Sequence, residues 1–333
     1  MFFAPVGGIV AETGVCFVVC GRYFGFKRYQ IKKRVLTAAA AAAIAVLLLF
    51  AARHVSVSRF DVRNDRALKD MIAALDEPPA APAATPAQQP TAQAAVPAGM
   101  VRVEGGTMRI GGRDVTISAF NIGRHPVTQE EWFDVMGSNP SYFQGNELAA
   151  GVNWRNLPVE NVSWYDAVEF ANARSRRADL APAYAISGSG ANRVVTWNRS
   201  ANGYRLPTEA EWEFAARGGM ACRGNFEFPG SNVVGEVAWY SGNSMERTHE
   251  VGLLRPNALG IYDMGGNVWE WVWDWRDKIP TVAQTNPEGP ADGVNRVLRG
   301  GCWSNPPMVI ARSADGGFPG ARDNVIGFRV VRP

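Results

Sequence analysis

Side chains suited to redox or metal chemistry are scarce in this chain of 333 residues, which has four cysteines and three histidines. Beyond residue 100 these reduce to Cys222, Cys302, His125 and His249, and the two histidines lie far apart in sequence. A three-histidine metal site is therefore excluded there, whereas two histidines with a carboxylate could still ligate a transition metal. Hydrolase motifs such as Gly-x-Ser-x-Gly and His-Glu-x-x-His are absent from the sequence, as is a phosphate-binding glycine loop. The residue inventory thus gives little support to catalysis.

Three helices that could position functional side chains are predicted from their capping residues. Each begins with a hydroxyl residue followed three positions later by a carboxylate, so that side chains and backbone cap one another. The pairs are Thr128 with Glu131, Ser163 with Asp166, and Thr208 with Glu211. Short strands accompany them: 101–110 predicts a hairpin that turns at Gly105-Gly106, and 115–122 alternates as one further strand. This mixture indicates a loop-rich α+β domain.

The distribution of tryptophan locates the packed domain. All 11 tryptophans lie beyond Met100, which assigns the globular part to residues 100–333. A net charge of only +3 argues against a nucleic-acid partner, because phosphate binding needs a concentrated basic face. Cys222 and Cys302 could pair if this domain lies in an oxidising compartment, but their spacing leaves the question open.

The first hundred residues predict a membrane tether. Residues 36–52 form an uncharged Ala/Leu run directly after Lys32, Lys33 and Arg34, which indicates a transmembrane signal anchor. A cleavable signal peptide is the alternative, with an unusually long basic region before it. The anchor would leave the basic segment 1–35 in the cytoplasm, and 53–99 would be a juxtamembrane segment and a disordered Pro/Ala-rich linker. The expected location is the bacterial inner membrane, single-pass, with the C-terminal domain in the periplasm or outside the cell.

Seven phrases in a fixed order carry a family resemblance. They lie at 105–108, 124–128, 157–167, 204–217, 257–271, 296–303 and 326–331. In this order and spacing the chain resembles the sulfatase-modifying-factor family, whose founding member is the formylglycine-generating enzyme. The resemblance covers residues 100–332 and implies a compact, loop-rich α+β fold related to C-type lectins.

The same resemblance implies where an active site would lie. The formylglycine-generating enzyme has a Cys-x4-Cys pair after an Arg-Gly-Gly-Ser phrase, and two thiolates suit cuprous ion. In register, Asn305 and Ile310 take these positions, so we expect neither formylglycine formation nor bound copper or iron. The alternative is a divergent iron- or copper-dependent oxidase of a thiol or a cysteine-containing peptide, which would use Cys302, His125 or His249.

A structural calcium site is also implied by the resemblance. The phrase Gly265-Gly-Asn-Val-Trp-Glu-Trp271 would supply the Asn267 side chain, backbone carbonyls near Gly265 and Val268, and the Glu270 carboxylate. Hard oxygen ligands from a tight turn are what calcium prefers. The alternative is that Asn267 only caps the turn and that Glu270 pairs with a buried arginine.

The loop-like stretch at 303–324 is predicted to form the ligand-binding surface. In this family it lines the upper surface of the domain, and exposed loops on a rigid scaffold commonly carry binding function. The candidate contacts for a protein or glycan ligand are Trp303, Asn305, Met308, Ile310, Asp315 and Phe318. We therefore expect a binding or scaffolding module. The alternating tryptophans from Trp269 to Trp275 could form a further aromatic platform or fill the core.

Overall fold

The computed structural model of the protein describes residues 95–190, 193–277, 281–312 and 314–333. All of them belong to the compact unit Ala92–Pro333. The predicted cytoplasmic segment 1–35, the signal anchor 36–52 and the linker up to residue 94 lie outside the described residues. Within the described part, no helix is both long enough and apolar enough for a membrane span.

The described helices are short and capped. They are α1 (Gln129–Met136), α2 (Trp164–Arg177), α3 (Glu209–Ala216) and α4 (Pro307–Arg312). The three predicted capping boxes are confirmed, at Thr128, Ser163 and Thr208. At the first of them, Glu131 N donates to Thr128 Oγ1 at 3.1 Å and Thr128 N donates to the Glu131 carboxylate at 3.0 Å. These local bonds satisfy backbone groups that a helix N-terminus leaves unpaired.

The strands form several small sheets. They are β1 (Met100–Val103), β2 (Gly106–Ile110), β3 (Arg113–Ile117), β4 (Phe120–Gly123), β5 (Tyr184–Ser187), β6 (Val194–Trp197), β7 (Trp269–Trp275), β8 (Gln284–Thr285), β9 (Arg296–Arg299), β10 (Ala314–Gly317), β11 (Ile326–Phe328) and β12 (Val331–Arg332). Their orders are β10-β9-β7-β11, β1-β4-β12, β2-β3-β8 and β5-β6. In the first sheet β9 is antiparallel and β11 parallel to β7. Strand β7 is therefore central, and its first four residues are buried.

The predicted hairpin at 101–110 is wrong. Strand β1 pairs with β4, whereas β2 pairs with β3 around the next glycine pair, Gly111-Gly112. Both of these glycines have positive φ, 57° and 83°, as a two-residue type I′ turn requires. Gly105 has a different role, since a Cβ there would lie 2.8 Å from the Ile117 carbonyl oxygen. The predicted strand at 115–122 is likewise divided between β3 and β4.

Two larger hydrophobic clusters hold the elements together. One contains Trp164 and Phe170 of α2 against Trp271 and Phe328. The other packs Trp212 and Phe214 of α3 on strands β2 to β4. Two indole N–H groups in the first cluster donate to backbone carbonyls at 2.9 Å, Trp164 Nε1 to Val272 O and Trp271 Nε1 to Val162 O. This rigid base carries the segment from 300 to 325, which contains most of the predicted functional residues.

Candidate functional site

The segment after β9 holds Asn305 and Ile310, the two positions predicted to stand in register with the cysteine pair of the formylglycine-generating enzyme. Gly300 and Gly301 adopt positive φ, 95° and 74°, and turn the chain into the buried Cys302. The Cys302 thiol lies 3.2 Å from both Ser304 Oγ and Asn305 Oδ1. Burial raises the pKa of Cys302, which disfavours the thiolate needed for nucleophilic or metal chemistry. Its environment is that of a packed, neutral thiol.

Asn305 and Ile310 serve packing and hydrogen bonding. Asn305 Oδ1 accepts from Cys302 N at 3.0 Å, and its backbone carbonyl accepts from Ser241 N, also at 3.0 Å. Ile310 is only 3% exposed and packs in a small cluster with Phe228 and Val237. The proposed surface contact at Ile310 therefore does not lie on the surface. Its position on the inner side of α4 explains the difference, because sequence spacing in a predicted loop carries no facing information.

The other oxidase candidates do not converge on Cys302. His249 stacks on Trp239 with ring centroids 3.8 Å apart, and its Nε2 lies 2.7 Å from the Ser244 carbonyl oxygen. Burial lowers the pKa of His249, which keeps its ring neutral. His125 Nδ1 lies 2.9 Å from the carbonyl oxygen of Pro126. Among the described residues, no group of three or more His, Cys, Asp or Glu side chains is placed to hold a metal ion. Cys222 and Cys302 are both free thiols.

The residues named for calcium are engaged elsewhere. Both Glu270 oxygens bind Arg329, at 2.6 and 2.7 Å, and one also accepts from Trp212 Nε1 at 2.8 Å. The Asn267 side chain bonds the backbone of His249 at both ends, at 3.0 and 2.9 Å. The side-chain oxygens of both residues thus already have hydrogen-bond partners. In the case of Glu270 this partner is a cation.

The two positions named for their backbone carbonyls, Gly265 and Val268, lie in closely packed surroundings. Gly265 packs against Ile310, where a Cβ would come within 2.9 Å, and the Val268 side chain is buried beside Gly327. Calcium needs six to eight oxygen ligands directed at one point. The pairing of Glu270 with Arg329 matches the alternative in which Glu270 pairs with a buried arginine, and calcium at these four residues stays a prediction.

An aromatic groove opens beside Trp303. We call it the Trp303 groove; it has a volume of about 490 Å³ and is lined by Tyr142, Phe143, Glu147, Ser241, Ser244, Glu246, Trp303, Ser304 and Asn324. The Phe143 ring packs edge to face against two neighbouring rings. The centroid distances are 5.8 Å to Trp303 and 5.1 Å to Tyr142. Trp303 Nε1 donates to Asn324 O at 3.2 Å, which fixes the indole. A fixed aromatic wall with a hydroxyl and carboxylate rim is suited to binding.

The remaining predicted contacts lie apart from this groove. Met308 is 78% exposed on α4, and Asp315 is exposed on the edge strand β10. Phe318, 59% exposed, lines a second groove together with Trp275 and Arg296. Trp303 and Phe318 therefore line two different grooves, and Met308 and Asp315 line neither of them.

Sequence reasoning missed Tyr142, Phe143 and Arg296. The first two come from the segment after α1, some 160 residues before Trp303, and no spacing signal links them. Arg296 lies in the phrase at 296–303, and nothing in its spacing sets it apart from the other arginines. Its lack of a carboxylate partner is visible only in three dimensions.

The comparison with known families decides the identity of the domain. The chain matches the sulfatase-modifying factor enzyme 1-like domain over residues 83–333. The chain belongs to the sulfatase-modifying-factor family. The predicted family is thus confirmed, and so is its mixed helix-and-sheet fold. That Asn305 and Ile310 stand in place of the enzyme's cysteines stays a prediction from sequence register.

Members of the sulfatase-modifying-factor family similar to this chain have different names. It is 40% identical over 271 residues to chaperone protein LppX of Paenibacillus barcinonensis, covering 70% of this chain and 89% of that protein. It is 35% identical over 197 residues to the formylglycine-generating enzyme of Streptomyces coelicolor, covering 52% of each. Among solved structures, Treponema denticola variable protein 1 is 37% identical with a TM-score of 0.65, covering 70% of this chain and 95% of that one.

Proposed function

We propose that this protein is a binding or scaffolding module whose C-terminal loop surface captures a partner. The observation that carries the proposal is the Trp303 groove, where a fixed aromatic wall stands beside open polar groups. It lies next to Cys302, whose burial and raised pKa disfavour thiolate chemistry. Binding by aromatic side chains needs no reactive group, only a preformed concave surface.

A protein partner is favoured over a glycan. The relative that is 40% identical over most of its length is named a chaperone, and a chaperone acts on other proteins. The edge-to-face rings of Phe143 and Trp303 also suit apolar side chains of a polypeptide. A glycan ligand is the other outcome that the experiment below distinguishes.

The proposed location places this surface outside the cytoplasm. The charge-free run at 36–52 after a basic flank supports a single-pass anchor in the inner membrane of a bacterium. The Pro/Ala-rich stretch before residue 100 supports an extended linker between anchor and domain. A tethered binding domain of this kind would meet partners in the periplasm or outside the cell.

Photo-crosslinking of the full chain in the producing cell tests the proposal. Benzoylphenylalanine at the exposed Ser304 should give a defined adduct, whereas the same probe at exposed Leu253 should not. Trp303→Ala should remove the Ser304 adduct. Protease or glycosidase treatment of the adduct then tells a protein partner from a glycan. An adduct that persists in Trp303→Ala, or equal adducts at both positions, would show that the groove is not the binding surface.

A divergent oxidase is the competing function. It predicts oxygen consumption with a cysteine-containing peptide, lost in Cys302→Ala, and stoichiometric iron or copper in the purified full chain. The separate environments of Cys302, His125 and His249 give it no support. Metal-dependent turnover would replace the binding proposal with this one.

A further inference from the structure

A second groove lies at the other end of the loop surface. It has a volume of about 630 Å³, and we call it the Arg296 groove; the lining residues that matter here are Trp164, Tyr165, Trp273, Trp275, Arg296 and Phe318. Trp164 is buried, whereas Trp273 and Trp275 at the end of β7 are partly exposed. The groove is large enough for a terminal residue or two of a polypeptide, since pockets of this order hold drug-sized ligands.

Arg296 is a buried cation held by aromatic rings. Its side chain belongs to a residue only 4% exposed, and its guanidinium carbon lies 3.5 Å from the Trp275 ring centroid and 3.9 Å from that of Trp164. Nη1 donates to the Trp273 carbonyl oxygen, while Nε has no hydrogen-bond partner among the described residues. Burial lowers the pKa of Arg296 to about 9, so the group still carries its charge at neutral pH.

In two other arginines of this protein, the edge formed by Nε and Nη2 binds a carboxylate. Arg329 uses Nε and Nη2 to bind Glu270 at 2.6 and 2.7 Å. Arg322 binds Asp166 in the same way, at 2.7 Å for both nitrogens. Arg296 forms no salt bridge with a described carboxylate, although the buried Asp274 attracts its charge from a distance, and its Nε has no hydrogen-bond partner among the described residues. Because a guanidinium fork matches a carboxylate in two parallel hydrogen bonds, the missing component at Arg296 is a carboxylate.

The other arginines that line this groove are already neutralised. Arg193 pairs with Glu169 at 3.0 Å, and Arg199 pairs with Glu288 through its Nε at 2.8 Å. Among the described lining residues, Arg296 is thus the cation without a paired acid. Among the lining arginines, Arg296 is the one left to bind a ligand anion, in a groove that is also lined by the carboxylate of Asp292.

Part of the rim of the groove is apolar. Val194, Val294 and Phe318 line it with exposed fractions of 55%, 76% and 59%. Exposed apolar side chains gathered around one concavity are typical of an interaction site. The chemistry of the groove therefore calls for a ligand with a carboxylate at one end and an apolar body next to it.

We propose that the Arg296 groove captures the C-terminus of a partner polypeptide, with the terminal carboxylate on the Nε–Nη2 edge of Arg296 and an apolar last side chain against Phe318. Capture of a C-terminal carboxylate is an established mode of peptide recognition. The choice of a polypeptide over a free acid rests on the proposed function, in which the partner is a protein. The groove is separate from the Trp303 groove, so each can fail without the other.

Fluorescence anisotropy with the purified full chain tests this inference. The probe is the labelled hexapeptide Gly-Ser-Gly-Ser-Val-Phe with a free C-terminus, compared with its C-terminal amide. We expect the acid to bind roughly ten-fold or more tightly than the amide, because hydrogen bonds between ionised groups are about twice as strong as neutral ones. Equal affinity of acid and amide, or no binding of either, would overturn the proposal.

Variants separate the two parts of the recognition. Arg296→Gln should abolish the preference for the acid, and Arg296→Lys, which keeps the charge without the fork, should retain part of it. Phe318→Ala should weaken acid and amide equally, and its exposure makes a folding defect unexpected. The matched control is Arg255→Gln, an arginine paired with Glu236 and not among the residues lining this groove. An unchanged acid preference in Arg296→Gln would contradict the assignment.

Two further experiments test whether the carboxylate comes from a polypeptide or a small acid, and whether this inference can fail separately from the proposed function. If 3-phenylpropanoate displaces the peptide at an equal concentration, the ligand is a small free acid and the polypeptide assignment is wrong. Trp303→Ala should leave peptide affinity unchanged, and Arg296→Gln should leave the Ser304 crosslink unchanged. Loss of both signals in one variant would mean that the grooves form a single site.

Discussion

Two buried arginines, Arg329 in the core and Arg296 at the loop surface, differ in whether a carboxylate pairs with them. Arg329 is fully buried, and Glu270 together with the carbonyls of Gly123, Tyr262 and Asp263 occupies its donors. Arg296 is almost as buried but has tryptophan faces and one carbonyl in place of an acid. A buried ion pair fixes a structure, whereas a buried unpaired cation costs free energy unless a ligand completes it.

A buried carboxyl near the Trp303 groove resembles Arg296 in having no ion-pair partner. Glu160 is 0% exposed, and its Oε1 accepts from Phe143 N at 2.9 Å, while Oε2 has no partner among the described residues. Glu160 and Arg296 are thus two buried charged groups without an ion pair, and each lies beside one of the two grooves. Residues under a binding surface often contribute less to stability than the same residue types in the core.

The largest expected effect is on the core side of this comparison. Arg329→Met leaves Glu270 buried without its cation, and we expect the free energy of unfolding to fall by about 3–5 kcal/mol. Urea denaturation of the full chain at neutral pH measures it. Arg255→Gln, which breaks an exposed pair, should cost less than about 1 kcal/mol. A similar small cost for both variants would remove the distinction between core and surface charge.

The next effect concerns Glu160 and pH. Burial raises the pKa of Glu160 from 4.5 to about 7, with the charge of Asp323 acting in the same direction. Because the folded pKa lies above the unfolded one, this contribution to stability is complete below pH 4.5 and is lost as pH rises through 7. The loss should amount to about 3 kcal/mol across that window, since each pKa unit corresponds to about 1.4 kcal/mol.

Glu160→Gln isolates that contribution. The variant cannot ionise, so its stability should fall less than that of the native protein between about pH 5 and pH 8. Burial also raises the pKa of Asp263 to about 6, and this group is common to both proteins, so the difference between their urea profiles reports Glu160 alone. Parallel profiles would show that Glu160 is charged in the folded state at neutral pH.

A smaller effect is expected at Arg296 itself. Arg296→Met removes a desolvated cation that has no ion partner, and the thioether can still pack on Trp164 and Trp275. We expect the free energy of unfolding to change by no more than about 1 kcal/mol in either direction. The same urea measurement applies, with Arg329→Met as the contrasting variant. A loss as large as that of Arg329→Met would make Arg296 a core residue and not a ligand-binding one.

The smallest effect is that of metal removal. Because Glu270 and Asn267 already use their oxygen atoms, EDTA should shift the midpoint of thermal unfolding by less than about 1 °C. Differential scanning fluorimetry with and without added calcium provides the measurement. A fall of several degrees, accompanied by calcium in elemental analysis, would restore the predicted calcium site and require Glu270 to serve two cations.

Local features such as helix starts could be predicted from the sequence, whereas the pairing of distant strands could not. The capping pairs at Thr128, Ser163 and Thr208 lie within four residues, and all three helices begin where predicted. The prediction of a hairpin at Gly105-Gly106 was wrong because β1 pairs with β4, and the turn lies at the next glycine pair. A turn motif states that the chain can reverse, but the partner strands decide where it does.

The candidate site was anticipated only in part. Trp303 and Phe318 were correctly placed on accessible surface, whereas Ile310 is buried and Glu270 faces Arg329. Along β7 the core-filling interpretation of the alternating tryptophans is confirmed at Trp271, whereas Trp275 lines the Arg296 groove and the aromatic platform stays a prediction. Burial depends on what packs against a side chain, and that partner is distant in sequence.

The sequence by itself determined the family, the helix starts and the scarcity of reactive side chains, because these depend on residue types at fixed local spacing. Only the tertiary structure decided that Tyr142 and Phe143 meet Trp303, and that Arg296 lies among tryptophans without an acid. The contacts of Phe143 with Trp303 and of Arg296 with Trp164 join segments more than a hundred residues apart in the chain. A missing partner is a property of the packed arrangement that no local pattern encodes.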